Sequence, residues 1–149
     1  MDELDLRIRT YAYGSFVRTG TAPTAADTAE ALDLDPAEVE ASYGRLHAGR
    51  AIVLEPGSTT TIRMLNPFSA IETHHMVEAA GRSWYANCAW DALGVAAALH
   101  EDADVSSRCA DCGDPLELEV RDGLLARGAD LLVHILVPAR HWWDDIVFT

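Results

Sequence analysis

Four consecutive residues, Asp35-Pro36-Ala37-Glu38, constrain the fold of this chain more than any other feature. They combine a capping Asp, a proline placed where its missing N–H costs nothing, and a Glu three residues after the cap. A helix is therefore predicted from Pro36, with Val39, Tyr43 and Leu46 carrying it to Gly49. Before it, Leu4, Ile8, Tyr11 and Ser15 recur at helical spacing and Gly20 ends that run. Thr24 can cap a second helix, with Asp27 at its third position and Ala25, Ala29 and Leu32 along one side. After Gly49, residues 51–54 and 60–65 read as strands around the turn Pro56-Gly57-Ser58. Three helices followed by a two-stranded wing form the pattern of a winged helix-turn-helix, and Asn66-Pro67 makes a natural boundary after it.

Beyond Pro67, residues 73–79 suggest a strand, Gly81 a turn, and Ala86 or Asn87 the start of a helix running to Leu99. That helix is apolar on most sides and is expected to be central and buried. Residues 105–109 and 116–120 read as strands joined by a tight turn at 111–114, and 131–137 as a further apolar strand stopped by Pro138. The expected fold class is α+β: a winged-helix-like part over residues 1–66, then a small mixed or antiparallel sheet packed on a buried helix over residues 67–149.

The formal net charge is −13, with 24 acidic residues against 11 basic ones. Phosphate neutralisation by basic side chains supplies most nucleic-acid affinity. The third helix, where a winged helix would read DNA, carries Glu38, Glu40, Tyr43 and His47 with only Arg45 and Arg50 nearby. Nucleic acid and anionic membranes are thus disfavoured as partners. The longest apolar stretch, residues 84–99, is interrupted by Asn87 and Asp91, so no membrane span is expected. The start Met1-Asp2-Glu3-Leu4 lacks the basic and apolar regions of a secretory signal, and a cytoplasmic location is expected. Nothing in the sequence speaks to oligomeric state.

Three cysteines are present, Cys88, Cys109 and Cys112. In a reducing compartment they are expected to be free thiols, open to metal or nucleophilic chemistry or simply buried as small hydrophobes. The segment Trp84-Tyr85-Ala86-Asn87-Cys88-Ala89-Trp90-Asp91 carries the strongest chemical signal. With Asn87 as the cap, Cys88 falls in the first helical turn, where the dipole favours a thiolate, and it is the thiol expected to react first. Asp91, three residues on, shares that face and is expected to hold a proton because burial raises its pKa. A soft nucleophile beside a buried proton donor is what cleavage of a carbon–metal bond needs. The same spacing also suits a structural Cys beside an Asp that only complements the dipole, and spacing alone leaves both open.

The arrangement resembles the organomercurial (alkylmercury) lyase family across nearly the whole chain. Residues 85–93, Tyr85-Ala86-Asn87-Cys88-Ala89-Trp90-Asp91-Ala92-Leu93, are similar to the family's first catalytic motif. Residues 105–115, including Cys109 and the turn Gly113-Asp114-Pro115, are similar to its next segment. The resemblance implies that Cys88 is the first mercury-binding thiolate, Asp91 the proton donor and Cys109 a structural cysteine. It also implies a second catalytic cysteine late in the chain, and no cysteine follows Cys112. Either the given sequence stops short of that thiol or this member does without it.

Cys109-x-x-Cys112-Gly113 has an independent reading as half of a zinc knuckle. Cys88 would be a third ligand and one of His74, His75, His100, His134 and His141 the fourth. Trp142-Trp143 reads as an anchor for the end of the chain, with a pocket lining as the rival. The expected function is thiolate capture of a soft metal and protonolysis of a carbon–metal bond. No cofactor is required, mercury is the substrate ion, and zinc is a possible resident metal. The alternative is a homologue without that activity, binding soft metal or zinc or acting on another small molecule. A winged-helix regulator with a metal-sensing part is a third reading, and the charge argues against it.

Overall fold

The computed structural model describes residues 1–147; Phe148 and Thr149, the end of the expected catalytic part, lie outside the described residues. Helix α1 spans Glu3–Thr19, α2 Ala25–Leu32 and α3 Pro36–Ala48. Asp2 and Thr24 each form a reciprocal capping box, with Asp5 and Asp27 respectively. Asp35 accepts from the Ala37 N–H, and Pro36 opens α3 as the sequence predicts. Gly20 ends α1 at φ +73°, in the left-handed region open to glycine. The buried stripe of α1 is Asp5, Ile8, Ala12 and Phe16. It is turned from the predicted Leu4, Ile8, Tyr11 and Ser15, because Phe16 rather than Ser15 fills the core.

Asp5 is almost fully enclosed although charged. It accepts from Ser42 Oγ at 2.7 Å and from Arg45 Nη2 at 2.6 Å, tying α1 to α3. The Arg45 guanidinium holds its carboxyl down, from 3.8 to about 2. That lowered value stabilises the fold above the ordinary carboxylate range, and the contribution is lost as pH falls through about 2.

The strands are β1 Val53–Leu54, β2 Ile62–Leu65, β3 Phe68–Ser69, β4 Met76–Ala79, β5 Arg82–Ala86, β6 Ala103–Arg108, β7 Pro115–Arg121 and β8 Leu124–Arg127. They form one sheet in the order β1-β2-β3-β5-β4-β6-β7-β8, with every neighbouring pair antiparallel. The sheet is larger than predicted, since β3, β5 and β8 escape the pattern reading. Strand β8 follows the turn Asp122-Gly123, both residues at positive φ, which is a two-residue hairpin signal legible in the sequence. The predicted strand at 131–137 does not form: the segment has no regular structure and crosses to a cavity wall instead. An apolar run alone does not distinguish a strand from a loop that covers a surface.

Helix α4, Ala89–Leu99, lies against β3, β4, β5 and β6. It buries Ala92, Val95 and Ala96, whereas Ala97, Ala98 and Trp90 are exposed, so it is half-covered rather than central. Gly94 permits its close approach: a Cβ there would sit 3.2 Å from Pro67 Cβ. Asn66-Pro67, expected as a boundary, forms the turn between β2 and β3. The core runs across that turn, with Phe68 in ring contact with Phe16 of α1 at 5.5 Å and with Trp84 of β5 at 6.3 Å. A short 3₁₀ helix, Ala139–Asp144, follows the loop. Among the described residues no helix is long and apolar enough to cross a membrane.

Candidate active site

The junction between β5 and α4 is held from several sides. The Ala86 N–H donates to His75 O at 2.8 Å, and Thr73 Oγ1 donates to Ala86 O at 2.7 Å. Asn87 does not cap the helix; its side-chain amide donates instead to Asn66 Oδ1 at 2.9 Å and Pro67 O at 3.2 Å. Tyr13 of α1 donates its hydroxyl to Asn66 O at 3.0 Å, so the first helix braces the same corner. The cap position falls to Cys88 itself, whose side chain makes no capping bond. Asn87 is drawn away because the β2–β3 turn offers it two acceptors.

Cys88 Sγ–H donates to Asp91 Oδ2 at 3.5 Å, one helical turn apart. Burial pushes the Asp91 carboxyl up, opposed by hydrogen bonds from Asn87 and Cys88. Burial also pushes the Cys88 thiol up, and the Asp91 charge adds to it against the backbone N–H groups of Asp91 and Trp90. Here the sequence expectation needs correcting: the helix start does not make Cys88 a ready thiolate, because desolvation outweighs the local dipole. Together the two groups form a hydrogen-bonded couple, the thiol donating to the carboxylate.

Cys88 opens onto a cavity of about 330 Å³. Its walls are Ala89 and Trp90 of α4, His75 beside β4, Ser107 and Arg108 of β6, Cys109, and the segment 132–137 with Trp142. Asp91 is not on the cavity wall and reaches it through the Cys88 sulfur. His75 Nδ1 lies 2.8 Å from Ser107 Oγ, and burial holds its imidazole below the ordinary range, hence neutral. Trp142 Nε1 donates to Val137 O, fixing the loop that forms the apolar wall. Trp143 meets the Arg50 guanidinium at 5.6 Å, so one tryptophan lines the cavity and the other anchors the segment. Sequence reasoning named His75 only as one of five candidate zinc ligands and did not single out Ser107. Only the β4–β6 register, Met76 opposite Ser106, brings them together.

All three cysteines are free, Cys88 and Cys109 half-buried and Cys112 exposed. The backbone N–H groups of Cys112 and Asp111, followed by the Cys112 thiol, hold the Cys109 thiol below its ordinary value; against the Asp114 backbone N–H, the Asp114 carboxylate and Cys109 together push Cys112 up. Among the described residues no three His, Cys, Asp or Glu side chains gather as a metal site. The four-ligand zinc arrangement of Cys88, Cys109, Cys112 and a histidine is therefore not assembled: His75 turns to Ser107 and His141 to Asp144.

The family described as MerB, alkylmercury lyase, matches residues 68–149, which include every cavity residue named above. A solved structure described as the mercury-bound form of MerB2 is 28% identical with a TM-score of 0.70, over 87% of this chain and 62% of that one. The chain thus spans less than two thirds of that relative's length. No curated protein matches. More than half of the chain answers to one family description, and the chain belongs to the alkylmercury lyase family.

Proposed function

We propose that the chain acts as an organomercurial-lyase-like enzyme, with Cys88 as the capturing thiolate and Asp91 as the proton donor. The observation that carries this reading is the Cys88 Sγ–Asp91 Oδ2 contact of 3.5 Å at the wall of an apolar cavity. The family match and the mercury-bound relative support it. As an alkylmercury cation meets Cys88, the S–H proton passes to Asp91 and a sulfur–mercury bond forms. Asp91 then returns that proton to the mercury-bound carbon. The electron pair of the carbon–mercury bond becomes the new C–H bond, and Asp91 is again a carboxylate. Mercury stays divalent on sulfur, with a solution thiolate as its second ligand, so the reaction needs no resident cofactor.

The leaving group is hydrocarbon, and the wall formed by Leu132, Val133, Ile135, Leu136 and Trp142 suits it. A cytoplasmic site of action, where small thiols are abundant, fits this scheme. The test is headspace detection of methane from methylmercury in the presence of excess thiol, compared with a protein-free control. A second reading, soft-metal binding without cleavage, draws on the placement of Asp91 behind the sulfur rather than on the cavity wall. Under that reading mercury titrates onto the protein and no methane appears.

A further inference from the structure

The turn between β6 and β7 holds two thiols that the proposed reaction leaves unused. It is closed by Cys109 N–H donating to Asp114 O at 2.8 Å and Gly113 N–H donating to Cys109 O at 2.9 Å. Arg108 Nη1 adds a bond to Gly113 O at 3.2 Å. Gly113, at φ +76°, makes the tight return possible. Cys109 and Cys112 stand three residues apart on this one tight turn, and they are not joined as a disulfide. Cys109 is on the wall of the cavity that Cys88 opens onto, while Cys112 is exposed and outside it. The three sulfurs thus mark a route from the cavity interior to the surface. Among the described residues these two sulfurs gather no third metal donor, and two are too few for zinc, which takes four ligands. The pair suits a soft cation content with two sulfurs.

We propose that Cys109 and Cys112 form a two-thiolate acceptor that draws divalent mercury off Cys88 and carries it to the protein surface. The inference rests on Cys88 being the capturing thiol. Cys109 sulfur attacks the mercury and forms one sulfur–mercury bond as the bond to the solution thiolate breaks, and the Cys109 proton passes through water to that leaving thiolate. Cys112 sulfur forms the second in the same way, as the Cys88–mercury bond breaks and Cys88 regains a proton from solvent. Mercury remains divalent throughout, and nothing is oxidised or reduced. The closed turn makes the second bond intramolecular, so the pair outcompetes a single protein thiol plus one from solution.

The experiment loads the reduced chain with one equivalent of mercuric chloride under excess glutathione and measures affinity by competition with a chelating dithiol. Wild type and Cys88→Ser are expected to bind alike. Cys112→Ser is expected to bind on the order of a hundredfold more weakly, by loss of the chelate. Brief alkylation of the loaded wild type, read by peptide mass, should find Cys88 labelled and Cys109 and Cys112 protected. Circular dichroism checks folding, and Cys112→Ala repeats the test without a hydroxyl. Equal binding by Cys112→Ser and wild type, or protection of Cys88 alone, would overturn the proposal. Methane release separates the two readings: cleavage with mercury retained on Cys88 sinks only the acceptor, and tight dithiol binding without methane sinks only the lyase.

Discussion

The start of α4 and the β6–β7 turn both present a cysteine to the same cavity, and they treat it in opposite ways. At α4 the thiol is half-buried beside a carboxylate, so its proton is held. At the turn, backbone N–H groups converge on Cys109 and its proton is released more readily. The difference teaches that a helix N-terminus does not by itself activate a thiol. What matters is the balance between desolvation, neighbouring charge and donors aimed at the sulfur. It also separates two tasks: a thiol that keeps its proton can pass it to Asp91 at the moment of capture, and Cys109, whose proton leaves more readily, can bind without a carboxylate partner.

The largest expected effect that would break this comparison is at Cys88. Cys88→Ser should abolish capture of methylmercury in the cavity, because a hydroxyl is a hard ligand, and methane release should fall to the protein-free rate. Cys109→Ser should leave a first turnover detectable. If Cys109→Ser alone abolishes it, the roles of the two regions are exchanged.

Next in size is the order of alkylation in the metal-free protein. At neutral pH, limiting iodoacetamide should label Cys109 before Cys88, because the first thiol is held below its ordinary value and the second is pushed above it. The sign is fixed by the directions of the shifts. Cys88, pushed up, gains thiolate only as pH rises through its raised value, so the gap should narrow in alkaline buffer. Peptide mass across a pH series checks this, and preferential labelling of Cys88 at neutral pH would contradict it.

A smaller effect should follow removal of the carboxylate charge. Asp91→Asn takes away a charge that raises the Cys88 thiol, so Cys88 should alkylate faster at neutral pH than in wild type. An unchanged or slower rate would mean that the carboxylate does not act on the sulfur.

The smallest concerns the fit of α4 on the β2–β3 turn. Gly94→Ala gains about 1 kcal/mol of helix propensity and loses about 1–3 kcal/mol to crowding against Pro67. The net should be a modest destabilisation, read as a lower midpoint in urea. A stabilised variant would show that the corner holding Cys88 is looser than its contacts imply.

The helical third was readable almost residue by residue, because capping residues such as Asp35 and Thr24 act locally on their own turns. The Cys88–Asp91 pair was readable for the same reason, since a spacing of three on a helix is a local geometry. What escaped depends on partners distant in sequence. Asn87 was expected to cap α4 but is taken by Asn66 and Pro67, twenty or so positions earlier. His75 and Ser107 meet only through strand register. Residues 131–137 have a strand's composition and become a cavity wall, packing over the site rather than forming a strand. Strand β8 is the exception, since Asp122-Gly123 marks its turn locally.

The most direct test of the account is single-turnover methane release from methylmercury pre-bound to the protein, comparing wild type with Asp91→Asn at equal mercury loading. Loss of the general acid should slow release by about 10²–10⁴-fold while binding by calorimetry stays close to wild type. Methane release at the wild-type rate from Asp91→Asn would contradict the account, since the proton would then reach carbon without the carboxylate beside Cys88.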